Sequence, residues 1–275
     1  MLERFLAGRI NGSVLVNGLL IPLNRLAQSL QRFCVPAMFY SHDQSWEMTK
    51  KGTALLLRFG GRNYALFAKH QLEESKPALA VSPKDFSILV TDPEGRRRAV
   101  TPDAAVSLNF DNPRHANLDD LILLEYSDHR LGGQFSRYFL DMDLEVTRDD
   151  VADAAVLASF AIGYPTCAVD WGVSEDGRME KANIPWVIMY LADEPSQPLD
   201  PDNRRILMQV EPDKQKTLPD PDGMSGAPVF SVLRGESSKL ELVFAGLVTN
   251  GRGRRFAVYP GGYIREALLG TATLK

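Results

Sequence analysis

The chain has 275 residues, of which 44% are hydrophobic and 24% are charged, so it is long enough to bury a sizeable core. Its net charge of −4 argues against a general nucleic-acid binder, because such proteins usually carry a basic surface. The sequence contains no run of about eighteen apolar residues that could cross a membrane. We therefore expect neither a nucleic-acid partner nor a membrane partner.

The N-terminal part of the chain predicts one short helix. Leucines within residues 23–33 recur at a spacing that places them on one helical face, and Pro36 follows shortly after. We interpret residues 1–47 as an N-terminal extension that packs on the rest of the protein. The first residues make a poor signal peptide, since polar residues and glycines interrupt the apolar stretch.

From residue 52 onward, short apolar runs are bounded by Gly, Pro, Asn and Asp. This spacing is typical of an all-β barrel or sandwich. Gly60 and Gly61 predict the turn of a hairpin between the first two runs. A short closing helix is predicted at residues 263–269, between two glycines. The predicted strands are residues 54–59, 64–68, 86–90, 121–126, 156–162, 186–191, 206–210, 228–233, 240–248 and 256–259.

The segment GMSGAPVF (residues 223–230) is the best candidate for a nucleophile, because it places Ser225 in a glycine-bounded turn before an apolar run. Small neighbours allow a substrate carbonyl to approach closely. The backbone N–H groups of Gly223 and Ser225 are the candidate oxyanion hole. The competing interpretation is a plain turn before a strand.

Two upstream segments supply the other groups that a serine nucleophile needs. His70 follows an apolar run in FAKHQL, and Asp120 opens the run DDLILLEY. A histidine can accept the serine proton, and a carboxylate fixes the tautomer of that histidine. Asp119 competes with Asp120, but strand alternation would turn it to the opposite face.

The order His70, Asp120, Ser225 resembles that of the trypsin-like serine peptidases, which have the chymotrypsin fold. Their serine lies in GDSGGP, their aspartate in D-[IL]-A-L-[LI] and their histidine in a TAAH-type segment. The resemblance implies two six-stranded antiparallel β-barrels and a C-terminal helix. Residues 48–150 would form the first barrel, with His70 and Asp120, and residues 151–275 the second, with Ser225 and the closing helix.

The same resemblance implies a serine endopeptidase that cleaves peptide bonds through an acyl-enzyme, without a cofactor or a metal. Its segment GLVTNG resembles the strand that pairs with the substrate backbone before the scissile bond, so Thr249 and Gly251 are the expected substrate-binding residues. Near the expected base of the specificity pocket, Pro219 and Asp220 predict either a preference for basic side chains or only a solvated turn.

Departures from the family pattern bear on regulation. Met224 stands where many secreted members have an acidic residue that pairs with an amino group freed by propeptide cleavage. An internal start such as IVGG is also missing. We therefore expect an enzyme that is active as synthesised or is controlled by a regulatory protein partner.

Only two cysteines are present, Cys34 and Cys167, whereas secreted members of the family are usually rich in disulfides. This composition suits the cytoplasm, and we interpret the chain as a bacterial intracellular member. Two other hypotheses stay open: a catalytically silent domain that holds an extended peptide in the same cleft, and a β-rich interaction domain without peptidase ancestry.

Overall fold

A computed structural model describes residues 5, 8, 10–41, 45–72, 82–91, 97–108, 120–128, 139–147, 155–193, 205–210, 220–235 and 238–273. Strands dominate these residues, so the predicted all-β fold is confirmed. The strands are β1 (Ser13–Val16), β2 (Leu19–Pro22), β3 (Cys34–Tyr40), β4 (Met48–Phe59), β5 (Arg62–Ala68), β6 (Phe86–Thr91), β7 (Arg97–Val100), β8 (Ala104–Ser107), β9 (Leu121–Tyr126), β10 (Leu140–Asp141), β11 (Val146–Thr147), β12 (Ala155–Gly163), β13 (Asp170–Val173), β14 (Met179–Asn183), β15 (Val187–Asp193), β16 (Arg205–Gln209), β17 (Pro228–Arg234), β18 (Leu240–Arg252) and β19 (Arg255–Pro260).

The helices are few and short. They are α1 (Leu26–Leu30) and α2 (Gly261–Thr273), with 3-10 helical turns at Leu23–Arg25, Gln31–Phe33, Lys69–Gln71, Pro83–Asp85 and Thr166–Ala168. The predicted helix at residues 23–33 and the predicted closing helix at residues 263–269 are therefore both confirmed. Neither α1 nor α2, nor any other helix in the described part of the chain, is long and apolar enough to cross a bilayer.

The first large sheet has the strand order β7-β6-β3-β4-β5-β9-β8, and β10 pairs in parallel with β4. This sheet also includes β3, which is hydrogen-bonded to β4 and lies before residue 48, the expected start of the first barrel. Among the described residues this sheet is a half-barrel, so of the two closed six-stranded barrels that we expected, the structure shows one. Its edge strands β7 and β8 are only four residues long and each pairs on one side.

The second large sheet closes on itself. Its order is β11-β18-β17-β12-β15-β16-β19, and β19 pairs again with β18, so the six strands after β11 form a closed barrel. Closure removes the unpaired edges that an open sheet would leave. The pairing of β18 with β19 shifts register between Val248 and Asn250, so Thr249 bulges out of the ladder at the mouth of the barrel.

One apolar cluster ties the two sheets and both helices together. It includes Leu26 of α1, Leu55 of β4, Phe160 of β12, Phe244 of β18 and Ile264 of α2, all of them buried. Burying such side chains stabilises the fold by about 1.5–3 kcal/mol each. The sheets are therefore fixed to each other by shared packing, which lets residues of both build one cleft.

The β1–β2 hairpin is fastened by a buried carboxylate. The turn residue Asn17, with φ 49°, donates its backbone N–H to Glu145 Oε1 at 2.7 Å. Its side chain bonds the backbone of Phe139 and Asp141, the segment around β10. Glu145 is only 6% exposed, and burial raises its pKa to about 7.

Candidate active site

The three candidate catalytic side chains lie on different elements that the two sheets bring together. His70 lies in the turn that follows β5, and Asp120 lies directly before β9. Because β5 and β9 are antiparallel and Ala68 pairs with Leu121, the end of one strand meets the start of the other. Ser225 precedes β17 in the second sheet.

His70 and Asp120 form a close pair. His70 Nδ1 lies 2.9 Å from both Asp120 Oδ1 and Asp120 Oδ2, and the His70 backbone N–H donates to Oδ1 at 2.9 Å. The carboxylate therefore holds the backbone and the ring at once. With Nδ1 carrying the proton toward Asp120, the Nε2 lone pair faces away from it and is free to act as a base.

Ser225 lies at the other nitrogen of this ring. The distance from His70 Nε2 to Ser225 Oγ is 3.2 Å, within hydrogen-bond reach for proton transfer. Ser225 Oγ also lies 3.3 Å from the carbonyl oxygen of Thr249 on β18. A hydroxyl proton can thus be directed either to the histidine or to the strand.

Two backbone donors at the nucleophile have no acceptor among the described residues: the N–H groups of Gly223 and Ser225. The Asp222 carbonyl accepts a hydrogen bond from the Thr166 N–H at 2.8 Å. Because a trans peptide points its N–H opposite to its C=O, this contact turns the Gly223 N–H away from Thr166. Donors left free in this way are what an oxyanion hole requires.

The turn around Ser225 depends on glycine at two positions. Gly223 has φ 84° and Gly226 has φ 82°, in the left-handed region that side chains disfavour. A Cβ on Gly226 would overlap the Thr53 carbonyl oxygen. This close approach brings the second sheet's turn against β4.

Thr53 of β4 makes three hydrogen bonds that fix this turn. Its backbone N–H donates to the Ser225 carbonyl at 3.0 Å, and its hydroxyl donates to the Gly223 carbonyl at 3.0 Å. The same hydroxyl accepts from the Tyr164 N–H at 3.0 Å. Thr53 is fully buried, so water does not compete for these bonds. The amide of Gln71, next to His70, also donates to the Ser225 carbonyl.

Met224 anchors the same turn from the other side. Its side chain is fully buried and its thioether lies against Gly163, where a Cβ would come within 2.9 Å of Sδ. The Met224 side chain carries no charge, so it forms no ion pair at this position. Apolar burial alone holds the residue between Gly223 and Ser225.

The expected substrate strand lies beside the nucleophile. Thr249 is 2% exposed and offers its carbonyl to Ser225, while its hydroxyl lies 3.3 Å from the Ala257 carbonyl. Gly251 pairs with Phe256, and its N–H donates to the Asn250 side chain at 2.8 Å. An incoming peptide would have to displace that side-chain oxygen to use the Gly251 N–H.

Four residues at the site were not identified from the sequence, since their contacts join segments far apart in the chain: Thr53, Gln71, Thr166 and Lys50. None of the four carries a local sequence signal that marks it as a site residue. Asp119 and Pro219 lie outside the described residues. Asp220 Oδ1 accepts from the Asp222 N–H at 3.0 Å, a contact typical of a solvated turn.

The chain has no match among protein-family models or among curated proteins. Within the described residues, no group of three His, Cys, Asp or Glu side chains is placed to hold a metal ion. The function of the chain is therefore inferred from the geometry of the site itself.

Proposed function

We propose that this protein is a serine endopeptidase of the trypsin-like kind, which cleaves peptide bonds through an acyl-enzyme. The observation that carries the proposal is the joint placement of His70 Nε2 at 3.2 Å from Ser225 Oγ and of His70 Nδ1 at 2.9 Å from Asp120. A nucleophile, a base and an orienting acid within hydrogen-bond reach are the signature of nucleophilic catalysis.

The reaction runs through these groups in two halves. Ser225 Oγ attacks the scissile carbonyl while His70 Nε2 takes its proton, and the N–H groups of Gly223 and Ser225 stabilise the oxyanion. The protonated histidine, steadied by Asp120, then gives the proton to the leaving amine. A water molecule, deprotonated by His70 Nε2, then attacks the acyl-enzyme ester, and Ser225 is released with the second product.

Substrate binding is assigned to the strand that carries Thr249 and Gly251. An extended peptide pairs its backbone with a strand edge, which gives affinity with little regard to side chains. The bulge at Thr249 already turns a carbonyl toward Ser225. The free thiols of Cys34 and Cys167 support a reducing compartment, and we place the enzyme in the cytoplasm.

The proposal is tested with an active-site-directed fluorophosphonate and with a fluorogenic peptide library. We expect labelling at Ser225 in the folded protein, none after denaturation, and peptide turnover that Ser225→Ala abolishes. Ser231→Ala is the matched control, since Ser231 is a fully buried serine of β17 bonded to Ser159 at 2.7 Å. A folded protein that is neither labelled nor active, yet binds extended peptides, would favour the catalytically silent alternative.

A further inference from the structure

Lys50 of β4 lies directly beside the oxyanion turn. Its Nζ is 3.3 Å from Thr166 Oγ1 and occupies the space where a side chain on Gly223 would begin. The ammonium is therefore next to one of the two oxyanion donors. Lys50 comes from the first sheet, and the Thr166 hydroxyl that it contacts lies in the 3-10 turn that follows β12 of the second sheet.

This ammonium has unused binding capacity. A lysine carries three donors, and among the described residues Lys50 makes one hydrogen bond, to Thr166, and no ion pair. Asp222 and Cys167 are the titratable groups that act on it, and both favour its charged form. Burial outweighs them and lowers the pKa of Lys50 to about 8. A half-buried ammonium that makes no direct ion pair within the described part of the chain is costly, so an arriving carboxylate would be favoured.

The position of Lys50 defines which part of a substrate it can meet. Ser225 lies between Thr53 on β4 and Thr249 on β18, and the residues before the scissile bond are assigned to β18. The residues after the bond then continue past Gly223 on the β4 side. Lys50 Nζ reaches the space beside Gly223, two positions before the nucleophile, so it can meet only the first residues after the scissile bond.

We propose that the Lys50 ammonium binds an aspartate or glutamate side chain in the first two substrate residues after the scissile bond. This inference rests on the proposed function for the direction of the substrate. It makes Lys50 a specificity-determining residue for the leaving-group segment. The oxyanion itself is left to the two backbone donors.

The experiment measures peptide binding to the uncleaving Ser225→Ala protein by fluorescence anisotropy. Two labelled peptides are compared that differ only in Asp or Asn at the first two positions after the intended cleavage bond. At pH 7 we expect the Asp peptide to bind about tenfold more tightly, the size of one charge-assisted hydrogen bond. Adding Lys50→Met should remove the difference while the Asn peptide still binds, which shows that the variant is folded.

Two further variants sharpen the test. Lys50→Arg should keep the preference for Asp and retain it at about pH 9.5, where the wild-type lysine loses it, because arginine stays charged. Lys239→Met is the matched control, since Lys239 is an exposed lysine that pairs with Glu241 at 3.4 Å, and it should keep the preference.

Equal binding of the two peptides at pH 7, or a preference that survives Lys50→Met, overturns the inference. The inference about Lys50 and the proposed function can be refuted independently. Selective binding by the Ser225→Ala protein with no hydrolysis by the wild type would keep Lys50 as an acid-binding residue and refute the peptidase.

Discussion

Replacing Thr53 by Val tests whether the oxyanion turn is positioned by a buried hydroxyl. Valine keeps the shape of threonine but loses the donor to the Gly223 carbonyl and the acceptor for the Tyr164 N–H. Both partners are buried, and Tyr164 is 6% exposed, so water cannot replace the lost bonds easily. The backbone bond from residue 53 to Ser225 is kept, because it does not involve the side chain.

The expected magnitude has two parts. Each buried partner left without a bond costs about 1–3 kcal/mol, so the free energy of unfolding should fall by about 2–6 kcal/mol. Release of the Gly223 carbonyl lets the neighbouring N–H leave the oxyanion position. Removal of one oxyanion donor costs about 10²–10³ in kcat, so we expect kcat to fall about a hundredfold with KM little changed.

Urea unfolding gives the stability, and steady-state kinetics with active-site titration gives kcat per folded molecule. Thr53→Ser should restore most of both, because serine keeps the hydroxyl. Ser231→Ala also removes a buried hydroxyl and should lower stability without lowering kcat, since that hydroxyl bonds Ser159 of β12 and not the oxyanion turn. Affinity for a peptide boronate should fall with kcat. A folded Thr53→Val protein with wild-type kcat would refute the positioning role.

Three other changes have defined outcomes. Asp120→Asn should lower kcat about 10⁴-fold by disturbing the tautomer of His70. A fluorophosphonate labelling rate equal to that of the wild type would contradict this. Gly251→Ala should raise KM for peptides and leave fluorophosphonate labelling of Ser225 nearly unchanged. The new Cβ would also lie 3.0 Å from Phe256 and Pro221, so an equal loss of peptide turnover and of labelling would indicate a structural effect. The raised pKa of Glu145 stabilises the folded state only while the carboxyl is protonated, so the wild type should lose about 3 kcal/mol of stability between about pH 4.5 and 8. Glu145→Gln should remove this pH dependence. Wild-type urea midpoints that stay constant across the range would contradict the prediction.

Local sequence patterns predicted the all-β class and the main strands of both large sheets. Apolar runs bounded by turn residues predicted β9 at its observed bounds, and Gly60 and Gly61 form the predicted turn, both with positive φ. Nine of the nineteen described strands were missed, namely β1, β2, β3, β7, β8, β10, β11, β13 and β14. In β7, β8, β13 and β14, polar or small residues give a weak alternation, so pairing with neighbouring strands determines their structure. The half-barrel was also missed, since strand closure depends on long-range pairing that periodicity does not encode.

The candidate site was predictable to the extent that its residues stand in short motifs. His70, Asp120 and Ser225 each follow or open an apolar run, and the structure brings the three together. Thr53 and Lys50 were not predictable, because their importance arises only where β4 crosses the turn from the other sheet. A residue that contacts a site 170 positions away leaves no local trace in one sequence.

Met224 bears on how such an enzyme would be controlled. A buried acidic residue at this position would need a nearby cation to offset its desolvation. If proteolysis supplied that cation, the oxyanion turn would form only after cleavage. A methionine packed on Gly163 contributes about 1.5–3 kcal/mol by apolar burial, whatever the charge of its surroundings. The turn then forms when the two sheets pack together, without a cleavage step. Regulation of the proposed enzyme would therefore act on access of a peptide or protein to the cleft that Lys50 and Gly251 border.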